Sequence, residues 1–347
     1  MNKSKKVTIH DIAKKLNITA STVSRSLNDN PRISDKTKKR VLKMAEDLNY
    51  KPNSIASALR NGRTQVIGLL VPLIDRAFFS SIIRGVEEVA HGYNYHVIVS
   101  QSYENKDNEI KAVKAFLNSR VDCVVASIGK STSDYSHFKE VKDSGIPLIL
   151  FDRTTPKLQT SQVVIDDYQG GYMATAHLIE QGCSKIVHIM SYRNLGIYKE
   201  RYRGYLDALK DNGIEFDEKL VVTGNSQLED GRQHAENLLK SKIEFDAIFS
   251  ASDYCALGAM QVLKEHGIKI PDDVAIVGFS NEPFTSFTDP SISSINQYPI
   301  EMGNTVARLF FDNLNSENKN SVPKKTVIQP QLIVRQSSTK KILAGIE

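Results

Sequence analysis

From Val66 to Phe279 the chain alternates short, β-branched apolar runs with longer amphipathic stretches, and that alternation limits the possible folds more than any other feature. The runs that read as strands are Val66–Val71, His96–Ser100, Cys123–Ser127, Leu148–Asp152, Val163–Asp166, Ile186–Met190, Leu220–Thr223, Ala247–Ser250 and Val274–Phe279. Between them the apolar positions recur with the period of a helix. Gly92, Gly145, Gly182 and Gly267 each stand a few residues before the next run. Glycine takes the left-handed conformation that ends a helix at little cost, so each reads as a helix stop. Such strand–helix alternation predicts a parallel sheet with helices on both faces. So many units exceed one sheet, which predicts two similar, doubly wound α/β halves. No GxGxxG follows the first strand, and GxxxxGK[ST], GxSxG and HExxH are absent. Nothing therefore supports a nucleotide-binding or hydrolytic enzyme, and no catalytic residue is expected.

The head of the chain is different in kind. Residues 1–65 carry fifteen Lys and Arg against five Asp and Glu, a net +10, whereas the rest of the chain is net −5. A basic head on an acidic body is what a chain needs if one end meets a polyanion, although charge alone fits a solvated tail equally well. The local pattern goes further. Thr8 with Asp11 three residues on has the form of a capping box, and Ile12, Ala13 and Leu16 follow at helical spacing. Asn17 tolerates the left-handed turn needed between two helices. Thr19 then caps a second helix, expected over Ala20–Asn28, with Val23 and Leu27 on one face. A third begins after Ser34 and runs to about Asn49, with Val41, Ala45 and Leu48 inward. Two short helices, a three-residue turn and a closing third helix predict a helix-turn-helix unit.

Opposite Val23 and Leu27 the second helix presents Ala20, Ser21, Ser24 and Arg25. Small residues let a backbone approach a groove, hydroxyls bind phosphates or base edges, and arginine pairs bidentately with guanine. For an isolated helix the same face is a solvated polar surface; within this unit the DNA reading is the stronger. Pro52 to Gly62 then offers a cap at Asn53, a stop at Gly62 and a sparse apolar face. About two turns of such helix are marginal alone, so a linker is expected.

A length of 347 residues suggests two or three domains at roughly 100–200 residues each. No apolar run approaches the roughly 20 residues of a membrane helix, and the basic Met1–Lys6 leads into a polar segment rather than a secretory h-region. A cytoplasmic protein without membrane partners is expected. Cys123, Cys183 and Cys255 lack metal-ligand spacing and read as reduced, buried thiols. His10, His137 and His234 read as ordinary surface or core histidines, and neither metal nor cofactor is expected.

The run Thr8-Ile9-His10-Asp11-Ile12-Ala13, then Thr22 to Asn28, then Tyr50-Lys51-Pro52-Asn53, resembles the headpiece of LacI/GalR bacterial repressors. Pro72 with Phe78-Phe79, Asp152-Arg153, Asp166-Asp167 with Gly170, Arg201 with Gly204-Tyr205, Asp246 to Phe249, Asp253 with Gly258, and Gly278-Phe279 extend the likeness over almost the whole chain. The resemblance implies an all-α, lambda-repressor-like headpiece over residues 1–51 and a hinge helix over 52–63. It implies a periplasmic-binding-protein type I body over 64–340, built of two doubly wound parallel-sheet subdomains. The first is expected at about 64–160 and 292–324, the second at about 161–291 and 325–340.

It further implies that Ala20, Ser21 and Arg25 read bases, while Thr22, Ser24 and Asn28 hold the DNA backbone or the helix frame. Thr8, Thr19, Tyr50 and Asn53 complete the contact set in and beside the headpiece. In the hinge, Ala56 and Arg60 lie at the minor groove, and Leu59 is the apolar wedge that kinks the duplex. Many relatives carry Arg where this chain has Ser57. Lys3, Lys5, Lys6, Lys36, Lys38 and Arg60 supply charge for phosphates.

In the body the likeness puts an effector between the halves. Phe78 and Phe79 stack on it, Arg201 holds its hydroxyls or carboxylates, and Gln297 reaches it from a crossover segment. Asp253 matches a family acid with a partly structural role. Asp152 and Arg153 are either cleft residues or an internal pair, and Tyr198 and Lys199 lie nearby. Sugar-binding members often have Asn at the position of Ser252 and Asp at that of Ser280. The second change leaves a sugar phosphate, a uronate or a modified sugar open beside a neutral hexose. The implied function is a homodimeric repressor on a roughly palindromic double-stranded operator, controlled by a carbohydrate-like effector. A free-standing sugar-binding protein and an α/β enzyme are the rivals, and the headpiece argues against both.

Overall fold

The computed structural model describes residues 7–50, 62–191, 195–315 and 322–340. Two compact units divide the chain, Met1–Thr64 and Gln65–Glu347. Asn53, Ala56, Leu59 and Arg60 of the expected hinge lie outside the described residues, as do Lys3, Lys5 and Lys6.

In the first unit the three expected helices form: α1 (Ile9–Leu16), α2 (Ala20–Leu27) and α3 (Asp35–Asp47). Each start is fixed by a short polar side chain. The Asp11 carboxylate accepts from the backbone N–H and the hydroxyl of Thr8, both at 2.8 Å. Thr19 Oγ1 accepts from Thr22 N–H at 3.2 Å, and Ser34 Oγ from Thr37 N–H at 3.4 Å. Asn17 ends α1 in the left-handed region with φ 53°, and Ile18 N–H closes on Ala13 C=O at 3.0 Å. Ile12, Ala13, Val23, Val41 and Ala45 are buried, with Leu16, Leu27, Leu48 and Tyr50 packed around them. Burying each of the larger side chains contributes roughly 1.5–3 kcal/mol, which suits a core this small to a marginally stable unit.

The second unit contains two six-stranded sheets. The first half supplies β1 (Val66–Val71), α4 (Ala77–Gly92), β2 (His96–Gln101), α5 (Lys106–Asn118), β3 (Cys123–Ala126), α6 (Ser136–Asp143), β4 (Leu148–Phe151) and β5 (Ser161–Ile165). The second supplies α7 (Asp167–Glu180), β6 (Ile186–Ser191), α8 (Gly196–Asp211), β7 (Val221–Gly224), α9 (Leu228–Ser241), β8 (Ala247–Ser250), α10 (Asp253–Glu265), β9 (Ala275–Ser280) and β10 (Ser293–Asn296). The chain then returns through α11 (Pro299–Asn315), β11 (Lys325–Ile328) and β12 (Gln331–Ile333). Strand order is β11-β5-β4-β3-β1-β2 in one sheet and β12-β10-β9-β8-β6-β7 in the other. Among the described residues all pairings are parallel except β10 with β12. In each sheet the order reverses beside the first strand of its half, so each has a switch point there, where ligands lodge beyond the carboxyl ends of the strands.

The pairing corrects the expected subdomain limits. β5 begins at Ser161 and pairs with β4 and β11, so the first half extends through Ile165 instead of stopping at residue 160. β10 pairs with β9 and belongs to the second half, not to the first as the limit at 292 implied. β11 pairs with β5 and belongs to the first half, not the second. The chain therefore passes between the halves three times: after β5, after β10 and after β11. Gly145, Gly182 and Gly267 do end helices with positive φ, but at the first expected stop Asn94, with φ 58°, takes that place and Gly92 remains helical. Elsewhere glycine serves close approach. A Cβ on Gly171 would come 2.2 Å from the Arg201 carbonyl, and one on Gly204 would come 2.2 Å from that of Tyr168. Those two glycines let α7 and α8 touch backbone to backbone.

Candidate functional site

In the headpiece, Ser21, Arg25 and Asn28 are exposed and follow one another at i, i+4 and i+7 on α2, which makes them one stripe. Ala20, Thr22 and Ser24 flank the stripe and are half-buried. Arg25 has no ion-pair partner among the described residues. Thr19 and Thr22 are partly engaged with the fold, their hydroxyls 2.9 Å apart in the cap. Asn28 Nδ2 donates to the Ser24 carbonyl at 2.6 Å and finishes the helix. Thr8 caps α1, and Tyr50 packs partly on the core. Lys36 is exposed, and Lys38 ion-pairs with Asp29 at 2.7 Å.

The body holds a cleft at the carboxyl ends of strands from both halves, with a cavity of about 90 Å³. Phe78, Phe79, Asp152, Arg201, Ser252, Asp253, Ser280 and Gln297, the full expected set, line it together. Phe78 and Phe79 sit in the first turn of α4 with ring centres 5.1 Å apart, edge to face. Such faces stack against the C–H side of a sugar ring or the plane of a base.

Arg201, on α8, is 4% exposed and uses each of its three nitrogens in the fold. Its Nε donates to Asp167 Oδ1 at 2.8 Å, Nη1 to the Ala251 carbonyl at 3.0 Å and Nη2 to Gln297 Oε1 at 3.4 Å, and its guanidinium lies 3.6 Å from the Phe279 ring centre. Gln297 Nε2 donates in turn to Ser280 Oγ at 2.8 Å, so the crossover residue links Arg201 to the loop after β9. Asp152 and Ser280 end β4 and β9 with φ 56° and 118°. Non-glycine residues held in such conformations concentrate at functional sites. Among the described residues the Asp152 carboxylate accepts one long bond, 3.4 Å from Ser127 Oγ, with Arg153 Nε at 3.7 Å, which leaves lone pairs for a ligand hydroxyl. Burial pushes its carboxyl above the usual range despite Arg153.

Arg153 Nε lies 3.7 Å from Asp152 Oδ2, the expected internal pair, but its close partner is Glu104. Arg153 lines the cavity and also donates through Nη1 to Glu104 at 2.7 and 2.9 Å. Burial pushes the Glu104 carboxyl up, but Arg153 and the Lys130 N–H outweigh it and hold the group below its ordinary range. Asp253 is 1% exposed and turned into the fold. Its carboxylate accepts from Ser294 Oγ at 2.6 Å and Glu282 N–H at 2.7 Å, and burial pushes it up to about 7. It sits at the cavity edge but holds the β9–β10 loop, a structural duty. Tyr198 lines the cavity, whereas Lys199 does not.

Arg76, Glu104, Lys130, Gln227, Tyr254 and Glu282 also line it and went unseen in the sequence. Each resembles a surface polar residue there, and only folding aims it inward. The one local signal was the position of Arg76, two residues before the aromatic pair. Among the described residues no group of acidic, histidine or cysteine side chains is arranged to hold a metal.

Residues 8–53 match the family model for bacterial regulatory proteins of the lacI family, and residues 64–336 match that for periplasmic binding proteins and the sugar binding domain of the LacI family. The chain is 30% identical over 336 residues to catabolite control protein A of Priestia megaterium, spanning 96% of this chain and 99% of that one. It is 31% identical over 331 residues to the ribose operon repressor of Halalkalibacterium halodurans, spanning 95% and 97%. Among solved structures, the transcriptional regulator CelR in complex with cellobiose aligns with a TM-score of 0.73 at 28% identity, over 96% of this chain and all of that one. The lac repressor dimer bound to operator aligns at 0.86 with 22% identity, over 97% and 100%, a likeness of fold. The relatives are regulators rather than enzymes. Helix-turn-helix head, two-sheet body and these matches together establish that the chain belongs to the LacI family of DNA-binding transcription regulators.

Proposed function

We propose that the protein is a homodimeric repressor whose hold on a roughly palindromic DNA operator is set by a small carbohydrate-like effector in the cleft of the body. The observation that carries the effector reading is the convergence of eight residues from both halves on one cavity, with two aromatic faces beside Asp152 and Arg201. Cellobiose and ribose, bound in two structures at 28% and 25% identity, support a sugar. In the headpiece Ser21 and Arg25 contact base edges, with Ala20 allowing close approach. Thr8, Thr19, Thr22, Ser24, Asn28 and Tyr50 position the DNA backbone or the reading helix. Asn53, Ala56, Leu59 and Arg60 form the hinge contacts. Two headpieces on a two-fold protein require a two-fold site. Effector binding shifts the angle between the halves and so the spacing of the two hinges.

Selection of bound sequences from randomised duplex DNA by the full-length protein tests the DNA half of this reading. The expected outcome is a palindrome of roughly 14–20 base pairs with a flexible pyrimidine–purine step at its centre. Enrichment of a single, non-repeated half-site would overturn the dimeric reading. Adding monosaccharides and disaccharides to the selected complex tests the effector half, and a sugar that releases or tightens it identifies the ligand class.

A further inference from the structure

Across the mouth of the cleft charged side chains of each half reach into the other. Arg76 ends the loop after β1 in the first half. Its Nη2 donates to Gln227 Oε1 of the second half, and its guanidinium lies 3.8 Å from the ring centre of Tyr254, also of the second half. Glu282 lies in the loop after β9 in the second half and is 5% exposed. Its Oε1 accepts from the backbone N–H of Phe78 at 3.4 Å, in the first turn of α4. A helix N-terminus leaves backbone N–H groups unpaired and favours a negative charge. The residue in the cap position of α4 is Arg76, whose side chain makes no cap bond. The helix that carries Phe78 and Phe79 therefore receives the carboxylate at its N-terminus from the opposite half, through a long bond. Burial pushes the Glu282 carboxyl up, opposed by the Phe78 N–H, Arg76 and the Ala77 N–H, so the two charged residues also favour each other. Further along the rim Lys130 Nζ, from the first half, donates to the Asn225 carbonyl of the second at 2.8 Å.

We propose that Arg76 and Glu282 are positioning residues that form a reciprocal clasp, holding the two halves together at the cleft mouth and setting how readily the cleft opens. The proposal rests on the reading of the cleft as the ligand site but not on which ligand enters. Covalent connection between the halves is confined to the three crossover segments. Arg76 and Glu282 stand outside those segments, so non-covalent contacts join the halves there. Because Glu282 contacts the first turn of α4 and Arg76 is the residue that opens that helix, the clasp also fixes where the aromatic pair points.

The test is a distance measurement between paramagnetic labels on the full-length protein. Cys123, Cys183 and Cys255 are buried, which reserves labelling for introduced thiols. Asp107→Cys and Glu229→Cys, both exposed, put one label on each half. Asp107→Cys with Lys139→Cys, exposed on α6, places both labels within the first half as a control. In the otherwise unaltered chain the cross-cleft distribution is expected to be short and narrow. Arg76→Ala and Glu282→Ala are each expected to shift it to longer distances and broaden it, the double variant adding little, while the control pair stays unchanged. If neither variant moves the cross-cleft distribution, the clasp is wrong. Should Glu282→Ala disturb the control pair as well, Glu282→Gln, which keeps the shape and removes the charge, decides by the same criterion. No ligand enters the measurement, so failure to find a sugar effector and failure of the clasp remain distinguishable.

Discussion

Arg25 and Arg201 are the same residue placed in opposite surroundings. Arg25 stands exposed on α2 with no ion-pair partner among the described residues. Arg201 is buried on α8, bonded to Asp167, Ala251 and Gln297 and stacked on Phe279. The first is free to bind something else. The second is already part of the fold, and any ligand must share it. A headpiece keeps its recognition groups spare because DNA supplies the partners. A cleft whose groups are buried must satisfy them internally, or a desolvated charge is left unpaired. The two regions should therefore fail differently: substitutions on α2 should cost binding and spare stability, and substitutions in the cleft should cost stability first.

The largest expected effect tests the cleft side of that contrast. Arg201→Ala strands the Asp167 carboxylate in the interior and should destabilise the body by about 3–5 kcal/mol, read as a lowered urea midpoint. A loss of effector response with an unchanged midpoint would show that the residue is spare after all. A second test uses pH. Burial raises the Asp253 carboxyl from 3.8 to about 7 in the folded protein. The folded protein then holds a proton that the unfolded chain releases between those values, so this group makes stability fall as pH rises through that window. Asp253→Asn removes the titration. Its urea midpoint should vary less than the parent's between about pH 4 and about pH 8, and parallel curves would contradict the assignment.

On the headpiece side, Arg25→Ala should weaken binding by about 1–3 kcal/mol and relax preference at one base position. Its unfolding should shift by no more than about 0.5 kcal/mol, as for surface changes in general. A uniform loss over all sequences would instead assign Arg25 to a phosphate. The smallest effect concerns the turn. Asn17→Val should cost the headpiece about 1–2 kcal/mol because a β-branched side chain clashes in the left-handed region. Asn17→Gly should change little, and thermal melts of the two variants separate the cases.

What was legible in the sequence follows the same division. Headpiece elements announce themselves locally: Thr8, Asn17, Thr19 and Ser34 are caps and stops whose effect is complete within three or four residues. The first nine strands of the body were also plain: the inner ones are continuous apolar runs because they are buried, and the edge strands β2 and β7 keep β-branched residues although they are only partly covered. β10 was not, because Ser293-Ser294-Ile295-Asn296 has no such run. Its serines are buried by side-chain bonds to Asp253, Ser338 and the Arg335 carbonyl, partners more than forty residues away. The cleft was half legible for a similar reason. Its eight expected residues came from resemblance. Arg76, Glu104, Lys130 and Glu282 acquire their meaning only from contacts made between distant segments.

The three passages of the chain between the halves have a consequence for how this molecule is inherited and dismantled. Neither lobe corresponds to one uninterrupted stretch of gene. A single nick by a protease leaves both lobes tied by the remaining passages, and only three cuts part them. A lobe cannot be exchanged between relatives as a cassette by one recombination event. Exchanging one lobe while keeping the other needs matched breaks at all three passages.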